Sequence, residues 1–566
     1  MDIKEQANFI WSIADLLRGN FKQSEYGKVI LPFTVLRRFD CVLAPSKEEI
    51  LERNKSLTVS NKAPIFKKYT GHDYYNVSKF DFEKLIDDSN NIDTNLKDYI
   101  NGFSDDVKEI LDNFEIVTII EKKKKAGLLY LVVQKFSEIN LGADTIDNLE
   151  MGYMFEELIR KFSEQSNETA GEHFTPREVI ELMVEVLLDT DLDEITTTDG
   201  KVITILDPAC GTGGMLSIAQ NKIRALNSRT TVVPFGQELN PETYATCKSD
   251  MILKNNTNSK IVFGNSFSED GFREQKFDYI LSNPPFGVEW KKVKNFIENE
   301  SKHKGYDGRF GAGTPRISDG SLLFLQHMIS KMQPIEKGGS RIGIVFNGSP
   351  LFTGDAGSGE SEIRKWIIEK DLLEAVIGLP DQLFYNTGIS TYVWILTNRK
   401  TDRRKGKIRL INGTSFFGKM RKSLGNKRNE ITESDRKEIV RLYSTYEHDE
   451  NYIDFDNDDF GYRKITIERP LYDENREVVV EKGNPKPNSK LRDTETVPFK
   501  EDIHEYFKRE VLPHVPDAWI DEKKTKIGYE IPFTRHFYKF TPLRESSVVL
   551  DEIKQLEEKI QKSLNE

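Results

Sequence analysis

Lys201-Val202-Ile203-Thr204-Ile205-Leu206-Asp207-Pro208-Ala209-Cys210-Gly211-Thr212-Gly213-Gly214 is the stretch from which the architecture is read. Its first six residues follow the pattern of a buried strand, and a glycine-rich turn comes at once after them. Met215, Leu216, Ile218 and Ala219 then open a helix. Strand, turn and helix make the first unit of a doubly wound sheet, where ligands sit beyond the carboxyl ends of strands. The turn lacks both the G-x-G-x-x-G spacing of a dinucleotide site and the Lys-Ser/Thr of a phosphate loop. It predicts a nucleoside-like ligand without a polyphosphate.

Downstream, Thr230–Phe235 reads as a second strand with Glu238 just past its end, where an acid hydrogen-bonds ribose hydroxyls. Lys260–Phe263 is a third, followed by Gly264-Asn265-Ser266-Phe267, whose side-chain amide is placed to reach an adenine edge. Lys276–Leu281 (KFDYIL) is a fourth and delivers Ser282-Asn283-Pro284-Pro285-Phe286-Gly287. Two consecutive prolines fix φ and remove two donors, leaving the Asn283 side-chain oxygen and the Pro284 carbonyl as acceptors. Phe286 adds a flat face for stacking. An amino nitrogen on a heteroaromatic ring is a poor nucleophile because its lone pair is delocalised. Two acceptors gripping both N–H bonds draw it toward a tetrahedral shape and expose that pair to an electrophile held in line.

Upstream, a polar loop ends in Gly171-Glu172-His173-Phe174-Thr175-Pro176-Arg177. Threonine at the cap and proline at the first helical position read as a helix start, continued by Val179, Ile180, Met183, Val184 and Leu187. The N–H groups of such a terminus favour an anion, here a carboxylate; the alternative is a helix that is merely well capped. Loop, glycine turn, acid and clamp at successive strand ends converge on one crevice.

Arg341–Phe346, Leu372–Leu379 and Thr391–Thr397 complete a sheet of about seven strands. Ser318 or Asp319 caps a helix carrying Leu322, Leu325, Met328, Ile329 and Met332. Gly305–Gly313 (GYDGRFGAG) is either a segment that closes on a flipped base or groove, or a mobile surface loop. Residues from about 6 to 145 show helical spacing in Phe9, Ile10, Ile13, Leu16 and Leu17 and again in Val29, Phe33, Leu36 and Phe39. Within them Lys122–Lys125 reads as a solvated turn or a phosphate contact. Past 445, Glu447–Asp459 and Glu474–Asp493 predict extended connections. Val549, Ile553, Leu556 and Ile560 step by four, three and four, a short seam that docks on a partner helix or packs on its own domain.

With 566 residues, 37 % hydrophobic and 31 % charged, the chain reads as a globular protein of two or three domains. No apolar run approaches a membrane span, and Asp2, Lys4 and Glu5 at the start argue against a secretory signal. Three widely spaced cysteines point to reduced thiols in a cytosol and away from a zinc site. A net charge of −11 is awkward for a nucleic-acid binder. Arg399–Arg428, however, holds twelve Lys or Arg against the one acid Asp402, giving either a basic surface band or a solvated loop and strand.

Taken together, the residues resemble a class I S-adenosylmethionine-dependent methyltransferase that modifies adenine N6 in DNA. More narrowly, the run from Asn148 through Arg177 (EHFTPR), the NPPFG turn, Phe324–Ile329 (FLQHMI), Asn347–Phe352 (NGSPLF) and Gly378–Pro380 resemble modification subunits of type I restriction-modification systems. The resemblance implies an α/β, Rossmann-like domain with a mostly parallel seven-stranded sheet at 148–445. A helical N-terminal domain at 1–147 precedes it, and a helical C-terminal extension at 446–566 ends in a partner-docking helix. It places Glu172, His173, Phe174, Thr175, Pro176 and Arg177, with Thr212, Gly213 and Gly214, around the methionine part of S-adenosylmethionine, and counts Asp207, Ala209 and Gly211 among the other cofactor-binding residues. The direct methyl transfer it implies leaves Cys210 a small packed residue of the turn, not a nucleophile. Glu238 takes the ribose, Asn265 and Ser266 lie by the adenine, and Asn283, Pro284, Pro285 and Phe286 take the target base. Implied partners are double-stranded DNA, a specificity subunit flanked by two modification subunits, and in some assemblies a restriction subunit, in the cytoplasm of a bacterial or archaeal cell. Competing expectations are a methyltransferase acting on RNA or protein amides, and a DNA-binding scaffold without activity.

Overall fold

The computed structural model describes residues 3–165, 175–254, 256, 258–385, 387–424, 426–537 and 546–565. They fall into two compact units, Met1–Glu530 and Ile531–Glu566.

The first unit begins with nine α-helices between Ile3 and Ser137. The predicted stripes close on one another: Ile10, Ile13, Leu17, Val29, Phe33, Leu36 and Phe39 all enter one buried cluster. The helix Asn148–Gln165, which the 147/148 boundary assigns to the next domain, also buries Met151, Met154, Phe155, Leu158 and Ile159 in this cluster. Lys123, read as part of a solvated turn, is instead only 2 % exposed, with its ammonium 2.8 Å from the centroid of the Phe21 ring. Burial draws its pKa down to about 8. The helical region is pinned to the helix Pro241–Leu253 by Glu109, whose carboxylate accepts from Tyr244 Oη at 2.7 Å and from Lys248 Nζ at 2.6 Å.

The strands are β1 Val202–Asp207, β2 Thr231–Glu238, β3 Lys260–Phe263, β4 Tyr279–Ser282, β5 Arg341–Asn347, β6 Leu373–Gly378, β7 Thr391–Thr397 and β8 Lys407–Asn412. After them come β9 Gly418–Leu424, β10 Lys427–Glu430, β11 Tyr452–Asp456, β12 Gly461–Glu468, β13 Val480–Glu481, β14 Asn484–Pro485, β15 Asp493–Pro498 and β16 Trp519–Tyr529. The central sheet runs β11-β8-β6-β7-β5-β4-β1-β2-β3. It is mostly parallel; β7 lies antiparallel to both β5 and β6, and β11 antiparallel to β8. Every residue of β6 and β7 is buried, as suits strands covered on both faces.

All seven expected strands are present, and β8 and β11 extend the sheet to nine. The two extra strands arise inside the basic segment and the acidic segment because these neutralise each other. The buried Arg409 guanidinium donates to both oxygens of Asp454 on the paired strand, at 2.7 Å each. Arg399 pairs with Asp191 and Lys400 with Asp371, both at 2.6 Å, and Lys427 pairs with Glu178. Lys400, Arg404, Arg409 and Lys427 of the predicted basic band are therefore internal, with Arg403, Lys405, Lys407, Lys419, Arg421 and Arg428 left exposed.

The region after 446 ends in helix as expected, at Phe533–Phe537 and Ser546–Asn565, but holds a sheet where extended connections were expected. β15, β12 and β16 form an antiparallel sheet whose inward side chains Ile465, Ile467 and Val497 pack with Phe507 and Val511. Its charged outer face is what reads as loop. Arg364, in the helix Gly359–Glu369, clips this sheet on by donating from Nε to the Tyr529 carbonyl at 2.6 Å. In the second unit the helix Ser546–Asn565 exposes Val549, Ile553, Leu556 and Ile560, the residues of the predicted seam. No helix among the described residues is long and apolar enough to cross a membrane.

Candidate functional site

The carboxyl ends of β1 and β4 are stapled through one carboxylate. Asp207, 2 % exposed, accepts at Oδ1 from the Ala209 N–H at 3.0 Å and from the Ser282 hydroxyl at 2.9 Å. Burial pushes its pKa up to about 7 against these two hydrogen bonds. The glycine turn is thereby fixed beside the clamp strand. Gly213 has φ +85°, and a Cβ there would lie 2.7 Å from the Cys247 sulfur. Gly211 has φ +53° with open space around it, so the turn's backbone remains approachable there. Thr212 completes the turn, and Gly214 begins the helix Gly214–Leu226. Cys210 is buried with its sulfur 3.9 Å from that of Cys247; this contact and burial push its pKa well up, so it stays a thiol.

Glu238, at the end of β2, accepts from the Gly211 N–H at Oε2 and from the Asn240 N–H at Oε1, each at 2.8 Å. Burial raises its pKa. Each carboxylate oxygen keeps a lone pair beyond those bonds, which suits a vicinal diol.

After β3, Asn265 Oδ1 accepts from the Phe267 N–H at 2.9 Å, which commits its oxygen to the loop. The Ser266 hydroxyl donates to the Pro208 carbonyl at 2.5 Å and so ties this loop to the glycine turn. The loop has a further support that the sequence reading missed. Arg309 donates to the carbonyls of Ser266 at 2.9 Å and Phe267 at 2.6 Å, and its Nε to Glu300 at 3.0 Å. An arginine inside GYDGRFGAG was the available signal. The segment is therefore anchored instead of loose: Phe310 is fully buried, while Tyr306 stands 71 % exposed.

At the clamp, Asn283 Nδ2 donates to Thr175 Oγ1 at 2.9 Å, and Asn283 Oδ1 is buried without a hydrogen-bond partner. Pro284 is buried and Pro285 half-buried. Phe286 is 8 % exposed and meets Phe384 edge-on, with centroids 6.2 Å apart, so in this arrangement its stacking face is covered. Thr175 is not the helix cap. Pro176 holds that position before the helix Arg177–Leu188, with ψ 138°, and its carbonyl accepts from Val179 and Ile180. A residue before proline is pushed to extended backbone, which frees the Thr175 hydroxyl for Asn283. Gly171, Glu172, His173 and Phe174 lie outside the described residues. Arg177 turns along its own helix to Glu181 at 3.2 Å.

The helix that follows Thr175 is held from below. Arg436 binds Glu181 and Glu185 at 2.8 Å each. Lys427 pairs with Glu178 and donates to the Leu383 carbonyl at 3.0 Å, next to Phe384. A cavity of about 260 Å³ opens elsewhere, lined by Phe21, Lys123 and Asn240 among others, and none of the candidate residues lines it.

Comparison with known proteins points the same way. A match to the N-6 DNA methylase family spans residues 147–460, and one to the HsdM N-terminal domain spans 6–136. The type I restriction enzyme MjaIX methylase subunit of Methanocaldococcus jannaschii is 26 % identical over 487 residues, covering 81 % of this chain and 80 % of its own length. The HindI methylase subunit of Haemophilus influenzae is 31 % identical over 280 residues, covering 48 % of this chain and 55 % of its own length, so the chain spans about half of that relative. Among solved structures, the type I restriction-modification methyltransferase subunit from Streptococcus thermophilus has a TM-score of 0.63 at 21 % identity. It covers 81 % of this chain and 97 % of its own, a likeness of fold.

Proposed function

Because this chain belongs to the N-6 DNA methylase family, we propose that it is the modification subunit of a type I restriction-modification complex, methylating adenine N6 in double-stranded DNA. The observation that carries this reading is the Asn283 amide oxygen, buried and unpartnered at the end of β4, beside the turn that Asp207 staples. An acceptor kept dry and unpaired costs stability, and a substrate amino group is what satisfies it.

The residues present fit S-adenosylmethionine: Glu238 is placed for the ribose diol, the loop at Asn265 for the adenine, and the open backbone at Gly211 for the methionine part. When bound, the cofactor supplies an electrophilic methyl group on a sulfonium. Asn283 Oδ1 and the Pro284 carbonyl then hold the two N–H bonds of the target amine and expose its lone pair. No covalent enzyme intermediate is needed, in keeping with the inert Cys210. The base must leave the duplex, at a cost of a few kcal/mol, and Phe286 offsets part of it by turning from Phe384 to stack.

We assign sequence readout to a specificity subunit flanked by two modification subunits, in the cytoplasm of a bacterial or archaeal cell, with a restriction subunit joining in some assemblies. The exposed seam on Ser546–Asn565 supports a helix-docking role for the C-terminal end of the extension 446–566. The domain division at 147/148 and 445/446 is part of the same reading. A second reading, a DNA-binding scaffold without activity, draws on the covered face of Phe286. Tritiated-methyl transfer with and without the specificity subunit decides between them. N6-methyladenine formed only in the complex supports the enzyme; labelled cofactor bound with no N6-methyladenine on any DNA supports the scaffold.

A further inference from the structure

Asn283 Nδ2 donates to Thr175 Oγ1, across 108 residues of sequence, and that contact leaves Oδ1 as the buried end without a partner. The hydroxyl that holds the amide is itself on a rigid mount. Thr175 precedes Pro176, whose ring fixes φ, and the helix behind it is bolted by Glu178 to Lys427 and by Glu181 and Glu185 to Arg436.

From this we infer that Thr175 is a positioning residue for methyl transfer: its hydroxyl oxygen accepts from Asn283 and fixes the amide in place at the end of β4, where the amide oxygen meets the target amine. The inference rests on the proposed adenine-N6 function and differs from the role the resemblance gives Thr175, contact with the methionine part of the cofactor. With the hydroxyl gone, the Asn283 amide loses this hydrogen bond and is free to move off the position in which its oxygen accepts from the target amine. A reacting group displaced by about 1 Å loses roughly 100-fold in rate, which sets the scale of the effect.

The test uses the full chain in complex with its specificity subunit on cognate DNA. Single-turnover methyl transfer and S-adenosylmethionine affinity by calorimetry are measured for wild type, Thr175→Val, Thr175→Ser, Asn283→Ala and the Thr175→Val/Asn283→Ala pair. Thr175→Val is expected to slow methyl transfer roughly 10- to 100-fold with cofactor affinity within about twofold, and Thr175→Ser to recover most of that loss. In the Asn283→Ala background Thr175→Val is expected to cost nothing further, since it acts through the missing amide. Cofactor binding by each variant also shows that it is folded.

An equal slowing by Thr175→Val in both backgrounds, or cofactor affinity falling as far as the rate, overturns the inference and returns Thr175 to the cofactor. So does a Thr175→Val enzyme that methylates at the wild-type rate. A wild-type complex that binds cofactor yet forms no N6-methyladenine overturns the functional reading itself, and the inference with it.

Discussion

Replacing Asn283 by alanine is expected to remove most methyl transfer while leaving the fold intact, and the structure gives the size of both effects. Oδ1 is buried with no partner, a state that costs about 1–3 kcal/mol, and truncation relieves it. The same truncation loses the hydrogen bond to Thr175, worth about 1 kcal/mol. It also vacates a small volume, costing about 1 kcal/mol more. These terms nearly cancel, so stability should stay within about 1 kcal/mol of wild type, a midpoint shift of no more than about 4 °C. The rate, in contrast, loses a contact made most strongly in the transition state and should fall about 100- to 1,000-fold. Scanning fluorimetry reads the first quantity, and single-turnover tritiated methyl transfer in the complex with the specificity subunit reads the second. A midpoint lowered by more than about 8 °C would show that the amide serves the fold, and a rate loss under about tenfold would remove Asn283 from the chemistry.

Asp207→Asn tests the buried carboxyl. Because burial raises its folded pKa to about 7 from an ordinary value of 3.8, the folded state binds a proton that the unfolded chain releases. Stability is therefore lost as pH rises between about 4 and 7, at about 1.4 kcal/mol per unit from this group. Asparagine keeps the Oδ1 acceptor for Ala209 and Ser282, so urea titrations across that window should show a flatter pH dependence than wild type; an unchanged slope refutes the assignment. Gly213→Ala should cost about 2–4 kcal/mol, since it combines φ +85° with a Cβ 2.7 Å from the Cys247 sulfur. Gly211→Ala, in open space, should cost only about 1–2 kcal/mol, and denaturant midpoints that rank the two the other way contradict the turn's geometry. Arg309→Lys keeps the charge but gives up the fork that spans the Ser266 and Phe267 carbonyls, and should weaken cofactor binding about tenfold by calorimetry with the fold retained.

The parts of this architecture visible in the sequence are those whose signal is local. Lys201–Gly214 and Lys276–Gly287 each carry a strand and its turn within a dozen or so residues, and both lie where their patterns place them. β8 and β11 were hidden because what makes them strands is mutual: Arg409 reads as surface until Asp454, 45 residues on, lies opposite it. The β15-β12-β16 sheet escaped for a related reason, since only one of its faces is apolar. At the site, Thr175 and Asn283 are 108 residues apart, and no spacing rule joins them. The sequence shows that Phe286 has a ring but not that Phe384 leans against it. Proline placement was half legible: Pro176 marks a helix start, yet it serves as the cap itself and passes the threonine to another task.

Strand β7 has a consequence for how the chain is made. It sits hydrogen-bonded between β5 and β6 but leaves the ribosome after both of them. From the emergence of Asn347 to that of Thr397, a nascent chain carries the edge of β5 bare, and β6 has no neighbour on the side that β7 will fill. Fifty residues of translation last a few seconds, long enough for bare edges to recruit other chains. The sequence TYVWILT, all of it destined for the interior, acts as the keystone whose late arrival closes an arch already standing in two pieces.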